Sequence, residues 1–256
     1  MRTDAKKLEE NRLSGLTLEN YPFVHERHRI FPEVFEDRGH RKIMDISAGI
    51  GVVAKLVTDR YPCDMHCNEV DETCLRELKK LNVRLTSFDL DTGKPLPIET
   101  KTYDAIICLA TIEHLINVDE FINDLNRILK DDGRLYLSTP NAAGFLSTIT
   151  LLRGRTFNNP LDERSRYEFY AHVRYFTYRT LIEYMEHFGF IPDTVYLPLP
   201  KQSTRFQRIR NRSRLLSSLI RSACRFLYMT SARWHQEPVV CFAKQETGVK
   251  KKKRVL

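Results

Sequence analysis

Three acids and two glycines stand out for what they could bind. The stretch Asp45-Ile46-Ser47-Ala48-Gly49-Ile50-Gly51 follows a short apolar run. Its glycines let the backbone approach a ligand closely and turn sharply into a helix. Glu69 lies 18 residues beyond Gly51, at the end of the next strand-like segment. A carboxylate there can accept both hydroxyls of a ribose. Asp89 ends the third such segment, placed to accept from an exocyclic amine. The first loop holds no basic residue. Acids at three strand ends, with no cation beside them, speak against a phosphate ligand and suit a neutral or cationic nucleoside. A second cluster, Cys63, His66 and Cys67, has metal-binding residue types, but no second ligand pair follows at zinc-site spacing, so these read as structural side chains.

The elements that must carry these residues alternate regularly. Strand-like runs at 42–46, 65–69, 83–88, 103–109 and 134–139 are separated by helical patterns at 51–60, 71–81 and 118–129. The run YDAIICL at 103–109 is apolar throughout, the mark of a strand buried on both faces. Val118, Phe121, Ile122, Leu125, Ile128 and Leu129 share one helical face, with Gly133 expected to cap that helix. Such alternation predicts βαβ units, an α/β doubly wound sheet and helices on both faces. Ligands then bind beyond the carboxyl ends of the strands, so the loops after Ile46, Glu69, Phe88 and Leu109 should converge on one cleft. Residues 141–176 break the rhythm as an insertion, a helix follows at 177–188, and runs at 191–197 and 239–243 complete seven strands.

On these residues the chain resembles a class I S-adenosylmethionine-dependent methyltransferase. Asp45-x-Ser47-x-Gly49-x-Gly51 is similar to that family's first motif, where glycine is usual at the Ser47 position. Glu69 matches the ribose acid and Asp89-Leu90 the adenine-binding pair. AIICLATIEHL at 105–115 and LKDDG before RLYLSTPN match the fourth strand and the turn into the fifth. The resemblance implies a Rossmann-like seven-stranded sheet, mostly parallel with an antiparallel last strand, in a methyltransferase domain spanning 39–245. It implies cofactor contacts from Asp45, Ser47, Ala48, Gly49, Gly51, Glu69, Val70, Asp89, Leu90, Leu109 and Ala110. S-adenosyl-L-methionine would be the cofactor. The acceptor would be a small molecule, a glycan or a lipid-linked compound, methylated on oxygen. An RNA methyltransferase and a non-catalytic subunit of the same fold are the alternatives. A hydroxyl nucleophile is helped by a general base, and His114 and His172 are the candidates. Some relatives carry E-x-x-E-H and a later histidine as a metal site. Here Ala110 replaces the first glutamate, so no metal is expected despite Glu113, His114 and His172.

The remaining features concern partners and place. The chain has 256 residues, 42% of them apolar, enough for one sizeable core. Net charge is +8, yet residues 201–234 carry nine Lys/Arg and no acid, and 250–254 carry five more. The rest of the chain is therefore net negative. At 100° per residue Arg210, Arg214, Arg221 and Arg225 fall within roughly 60° of one another. Leu215, Leu216, Leu219, Ile220, Ala223, Phe226 and Leu227 fall opposite them. This predicts an amphipathic helix inside a basic insertion at 198–235, suited to an anionic membrane surface or to packing on protein, with nucleic acid not expected. Residues 1–38 read as a helical preamble and 246–256 as a disordered basic tail. The insertion at 141–176, with Arg153, Arg155, Arg164, Arg166 and Arg174 among Tyr167, Tyr170 and Tyr175, is expected to roof the acceptor pocket. Without an apolar leader or an apolar run of roughly 18 residues, a cytoplasmic protein with free thiols is expected, peripheral to the membrane at most.

Overall fold

The computed structural model describes residues 5–156, 158–163, 165–245 and 252–256. Helices α1 (Ala5–Leu13) and α2 (Glu26–Arg29) precede β1 (Lys42–Asp45), α3 (Val52–Thr58), β2 (Asp64–Asn68), α4 (Glu72–Leu78) and β3 (Arg84–Thr86). Then come β4 (Tyr103–Leu109), α5 (Val118–Ile128) and β5 (Leu129–Ser138). The insertion holds α6 (Phe145–Leu152) and α7 (Arg166–Ala171), followed by α8 (Tyr178–His187) and β6 (Phe190–Leu197). The basic stretch forms α9 (Thr204–Arg212) and α10 (Arg214–Thr230), before β7 (Val239–Lys244) and β8 (Lys252–Val255).

The strands form one sheet in the order β3-β2-β1-β4-β5-β7-β6-β8. β7 runs antiparallel to β5 and β6, and the other described pairings are parallel. β4 sits centrally, which explains its unbroken apolar run. Ile106 and Cys108 pack with Phe121, Ile122, Leu125 and Ile128 of α5. Ala105 and Ile107 pack on the other face with Val53, Ala54 and Val57 of α3.

Residues 30–35 are part of that second face. Ile30, Phe31, Val34 and Phe35 are buried, and both phenylalanines meet Tyr136 of β5 edge-on. Arg38 then pairs with Asp193 of β6 at 2.6 Å, and Arg134 of β5 reaches the same carboxylate at 3.0 Å. The stretch read as preamble thus closes one side of the sheet.

The structure departs from the sequence reading in three places. The sheet has eight strands, not seven. Residues 252–255 of the expected disordered tail form β8, parallel to β6, while 246–251 lie outside the described residues. Strand pairing uses backbone groups, so the charged side chains do not oppose it. Arg254 meets Glu36 at 3.1 Å, and Lys253 Nζ donates to the Met229 carbonyl at 2.6 Å. Second, Gly133 does not cap α5. The chain turns extended at Leu129 and Gly133 lies inside β5, where a Cβ would sit 2.7 Å from Leu129 Cδ1. Third, the helix predicted through Arg210 and Arg214 is broken by extended Ser213, whose hydroxyl accepts from Leu216 N–H at 3.2 Å and starts α10.

Candidate cofactor and acceptor site

The loops that follow β1, β2 and β4 meet at the carboxyl edge of the sheet. Gly49 N–H donates to Glu69 Oε2 at 2.8 Å, and Ala48 N–H donates to the Asn68 carbonyl at 3.1 Å, tying the first loop to the second. Gly49 and Gly51 have φ of 53° and 92°, in the left-handed region that favours glycine. At Gly51 a Cβ would also stand 2.9 Å from Leu78 Cδ2. Ser47 is not among the residues with positive φ, so the loop needs no glycine there. A serine at this position therefore costs no backbone strain.

Glu69 Oε1 accepts from Val70 N–H at 2.8 Å and Asp71 N–H at 3.2 Å. These three bonds hold the carboxylate still and leave one lone pair, on Oε2, for a ligand. Burial nonetheless raises its pKa above the ordinary carboxylate range. Val70 beside it is 58% exposed, an apolar side chain that a planar ring would cover. Asp45 is 3% exposed and its carboxyl has no hydrogen-bond partner among the described residues. Burial, with the charge of Glu69 adding to it, pushes its pKa up to about 7.

The structure places Asp89 on the exposed turn after β3, with Oδ1 accepting from Asp91 N–H at 2.9 Å. Leu90 packs against the core behind it. Asn68 builds this turn: Oδ1 accepts from Phe88 N–H and Nδ2 donates to the Phe88 carbonyl, both at 3.0 Å. Sequence reading passed over Asn68, which sits one residue before Glu69. Leu109 and Ala110 are half-buried at the end of β4, and Ala110 takes a φ of 53° while its N–H donates to the Ser138 carbonyl at 2.7 Å. Together these residues suit the cofactor that the resemblance implies: carboxylates for hydroxyls and cationic groups, an open apolar wall, and no cation in the loop.

Beyond β4 a second cluster forms. Ligand atoms of Glu113, His114 and His172 lie within 4.8 Å of one another. The insertion makes this possible, because Val173 N–H and Arg174 N–H donate to the Glu113 carbonyl at 2.9 and 3.2 Å. Glu113 Oε2 accepts from the Thr139 hydroxyl at 2.8 Å, while Oε1 is buried without a partner. Its burial pushes its pKa up to about 7. His114 Nδ1–H donates to the Ala171 carbonyl at 3.2 Å, leaving Nε2 to accept. Burial lowers the pKa of both histidines, that of His172 to about 4, so both are neutral at pH 7. The carbonyl bond partly offsets burial at His114. His114 is therefore the better base of the two.

The N-terminal segment also contributes, which no local pattern announces. Arg27 of α2 is buried and pairs with Glu237, and both lie near enough to bias the proton affinity of Glu113. Arg27 Nε is buried without a partner, as is Ser138 Oγ at the end of β5. The Arg12 guanidinium of α1 lies 4.5 Å from the centre of the Tyr167 ring, joining α1 to α7. Leu13 packs on Ile50 and Cys74 over the first loop. Cys63 and Cys67 are free thiols, and His66 is held by Tyr103 at 3.0 Å and Asp64 at 3.1 Å.

Residues 17–194 match a protein family described as a methyltransferase domain. Over 137 residues the chain is 26% identical to a Mycobacterium tuberculosis protein named "Probable S-adenosylmethionine-dependent methyltransferase", covering 53% of this chain and 48% of that one. The chain thus spans about half the length of that relative. The ubiquinone biosynthesis O-methyltransferase of Rickettsia conorii is 29% identical over 122 residues, 43% of this chain and 39% of that one. Among solved structures, a SAM-dependent methyltransferase from Archaeoglobus fulgidus superimposes with a TM-score of 0.57 over 94% of this chain and all of the other, at 16% identity. That likeness is one of fold.

Proposed function

Because the chain belongs to the methyltransferase domain family, we propose that it transfers a methyl group from S-adenosylmethionine to an oxygen of a small-molecule, glycan or lipid-linked acceptor. One observation carries the cofactor assignment. The first loop is clasped to Glu69 through Gly49 N–H, beside the buried carboxyl of Asp45. When bound, the cofactor supplies a sulfonium methyl group whose transfer leaves a neutral thioether, so no residue need protonate the leaving group. The protein's part is to orient the reactants and exclude water. Glu69 Oε2 would accept from a ribose hydroxyl, and Asp45 would take a cationic or N–H group. Leu13 on α1 and Tyr167 on α7 would shield the cleft. His114 Nε2 would take the acceptor's proton. The match to an O-methyltransferase supports oxygen as the target.

Calorimetry tests the cofactor assignment directly. S-adenosylmethionine and S-adenosylhomocysteine should both bind, and NAD should not. Glu69→Ala and Asp89→Ala should each weaken that binding by about 1–3 kcal/mol, the cost of a lost polar partner. Unchanged affinity in both variants would sink it.

The unpartnered Oε1 of Glu113 beside two neutral histidines favours a second reading, in which Glu113, His114 and His172 hold a divalent cation. These are three of the donors such an ion needs, with Ala110 supplying none. Equilibrium dialysis with Zn²⁺, Mn²⁺ and Mg²⁺ should then show one bound ion, lost in Glu113→Gln. Absence of binding at micromolar metal would leave His114 as a base alone.

A further inference from the structure

The amphipathic face of α10 does not turn inward. Ser217, Cys224, Leu227 and Tyr228 form the side that meets the protein. Leu219 and Phe226 are 60% and 70% exposed, and Leu215, Leu216 and Met229 are exposed with them. Arg214, Arg221 and Arg225 run along the edge of this apolar stripe. Helix α6 behaves alike. It buries none of its side chains, and Leu152 at its end is 82% exposed.

Between α6 and α9 lies a cavity of about 710 Å³. Arg153, Arg155 and Arg205 line it, with Thr150, Asn159 and Ser165. None of the three guanidinium groups makes an ion pair or a side-chain hydrogen bond among the described residues. Asp162 is the acid at its wall. Three forked donors lining one cavity with hydroxyl and amide side chains fit a phosphate.

We propose that this face, made of α6, α9 and α10, docks on an anionic phospholipid surface, with a headgroup phosphate held by Arg153, Arg155 and Arg205. Charge complementarity selects this occupant. Residues 201–234 carry nine cations and no acid, so a second copy set against the same face would oppose like charges. A nucleic acid would satisfy the arginines and leave Leu219 and Phe226 in water. A leaflet with anionic headgroups above apolar chains satisfies both. No helix of the described residues is long and apolar enough to cross a membrane, so the contact is interfacial. The inference stands apart from the methyl-transfer reading, since its readout is lipid binding.

The test is co-sedimentation of the full chain with vesicles. Binding is expected to phosphatidylcholine vesicles containing phosphatidylglycerol, and to fall about tenfold or more with pure phosphatidylcholine or in high salt. Leu219→Glu with Phe226→Glu should abolish it, and these positions are too exposed for the fold to need them. Arg153→Gln, Arg155→Gln and Arg205→Gln together should weaken it about tenfold or more. Melting temperature and S-adenosylhomocysteine affinity should stay unchanged in both variants, which separates this proposal's failure from failure of the methyltransferase reading. No binding to anionic vesicles, or binding that survives the glutamates, overturns the docking face. Binding that survives the glutamines overturns the headgroup pocket. Calorimetry with inorganic phosphate supplies the last arm. Phosphate binding without vesicle binding would reassign the cavity to a soluble phosphorylated ligand and overturn the membrane proposal.

Discussion

Asp45→Asn is expected to stabilise the ligand-free protein at pH 8 and to weaken S-adenosylmethionine binding in the same variant. The carboxyl is buried beside Glu69, without a hydrogen-bond partner among the described residues, and its pKa rises from 3.8 to about 7. A raised folded-state pKa means that the folded protein binds the extra proton. Stability is therefore highest below about pH 4, falls between pH 4 and 7, and has lost the whole contribution by pH 8. At 1.36 kcal/mol per pKa unit that loss is on the order of 4 kcal/mol, and the uncharged asparagine should recover much of it. Denaturant melts at pH 5 and pH 8 would show it: the variant gains at both, and more at pH 8, because at pH 5 the wild type has lost only about 2 of the roughly 4 kcal/mol. For the cofactor the sign reverses. A cationic ligand needs the ionised carboxylate, so wild-type affinity should rise about tenfold from pH 6 to pH 8, with proton release on binding near pH 7. Asp45→Asn should flatten that profile and weaken binding about ten- to hundredfold, the worth of a charged hydrogen bond. A variant that binds with wild-type affinity and the wild-type pH profile would remove Asp45 from the site.

Which parts of this arrangement could be read in advance follows from how local their causes are. β4 and α5 are legible because burial on both faces, or on one stripe, writes a periodicity into consecutive residues. The first loop is legible because Gly49 and Gly51 need positive φ, which few other residues tolerate. The side of α10 that faces the protein is not legible. A helical moment shows that polar and apolar faces differ, not which of them finds a neighbour. Here Cys224 and Tyr228 pack inward and Leu219 and Phe226 do not. β8 is hidden for a related reason, since a run of lysines pairs through backbone groups that its side chains do not report. Arg27 and Glu237 are 210 residues apart, and their pairing beside Glu113 depends on the whole fold. Even so, His114 and His172 were candidates from sequence, and the structure puts their rings 4.8 Å apart.

The same long-range logic predicts where the fold is most vulnerable. Asp193→Ala is expected to destabilise the protein by about 3–5 kcal/mol, the cost of removing one partner from a buried ion pair. Asp193 is 4% exposed, and its carboxylate takes Arg38 Nη2 at 2.6 Å and Arg134 Nε at 3.0 Å on one oxygen. Without it two guanidinium groups share a desolvated region with no anion between them. Arg38 follows the buried Phe31 and Phe35, so the damage should spread to residues 30–38 and the sheet face they close. Arg27 and α2 belong to the same N-terminal segment, and through them the effect should reach the pocket around Glu113. Amide hydrogen exchange would resolve this: Asp193→Ala should lose protection in residues 30–40 first, before β1 and β4. Replacing all three residues, Arg38→Met, Arg134→Met and Asp193→Leu, should cost much less than Asp193→Ala alone, because no charge is left buried without a partner. If the triple variant were the less stable of the two, the ion pairs would contribute net stability beyond compensating their own desolvation.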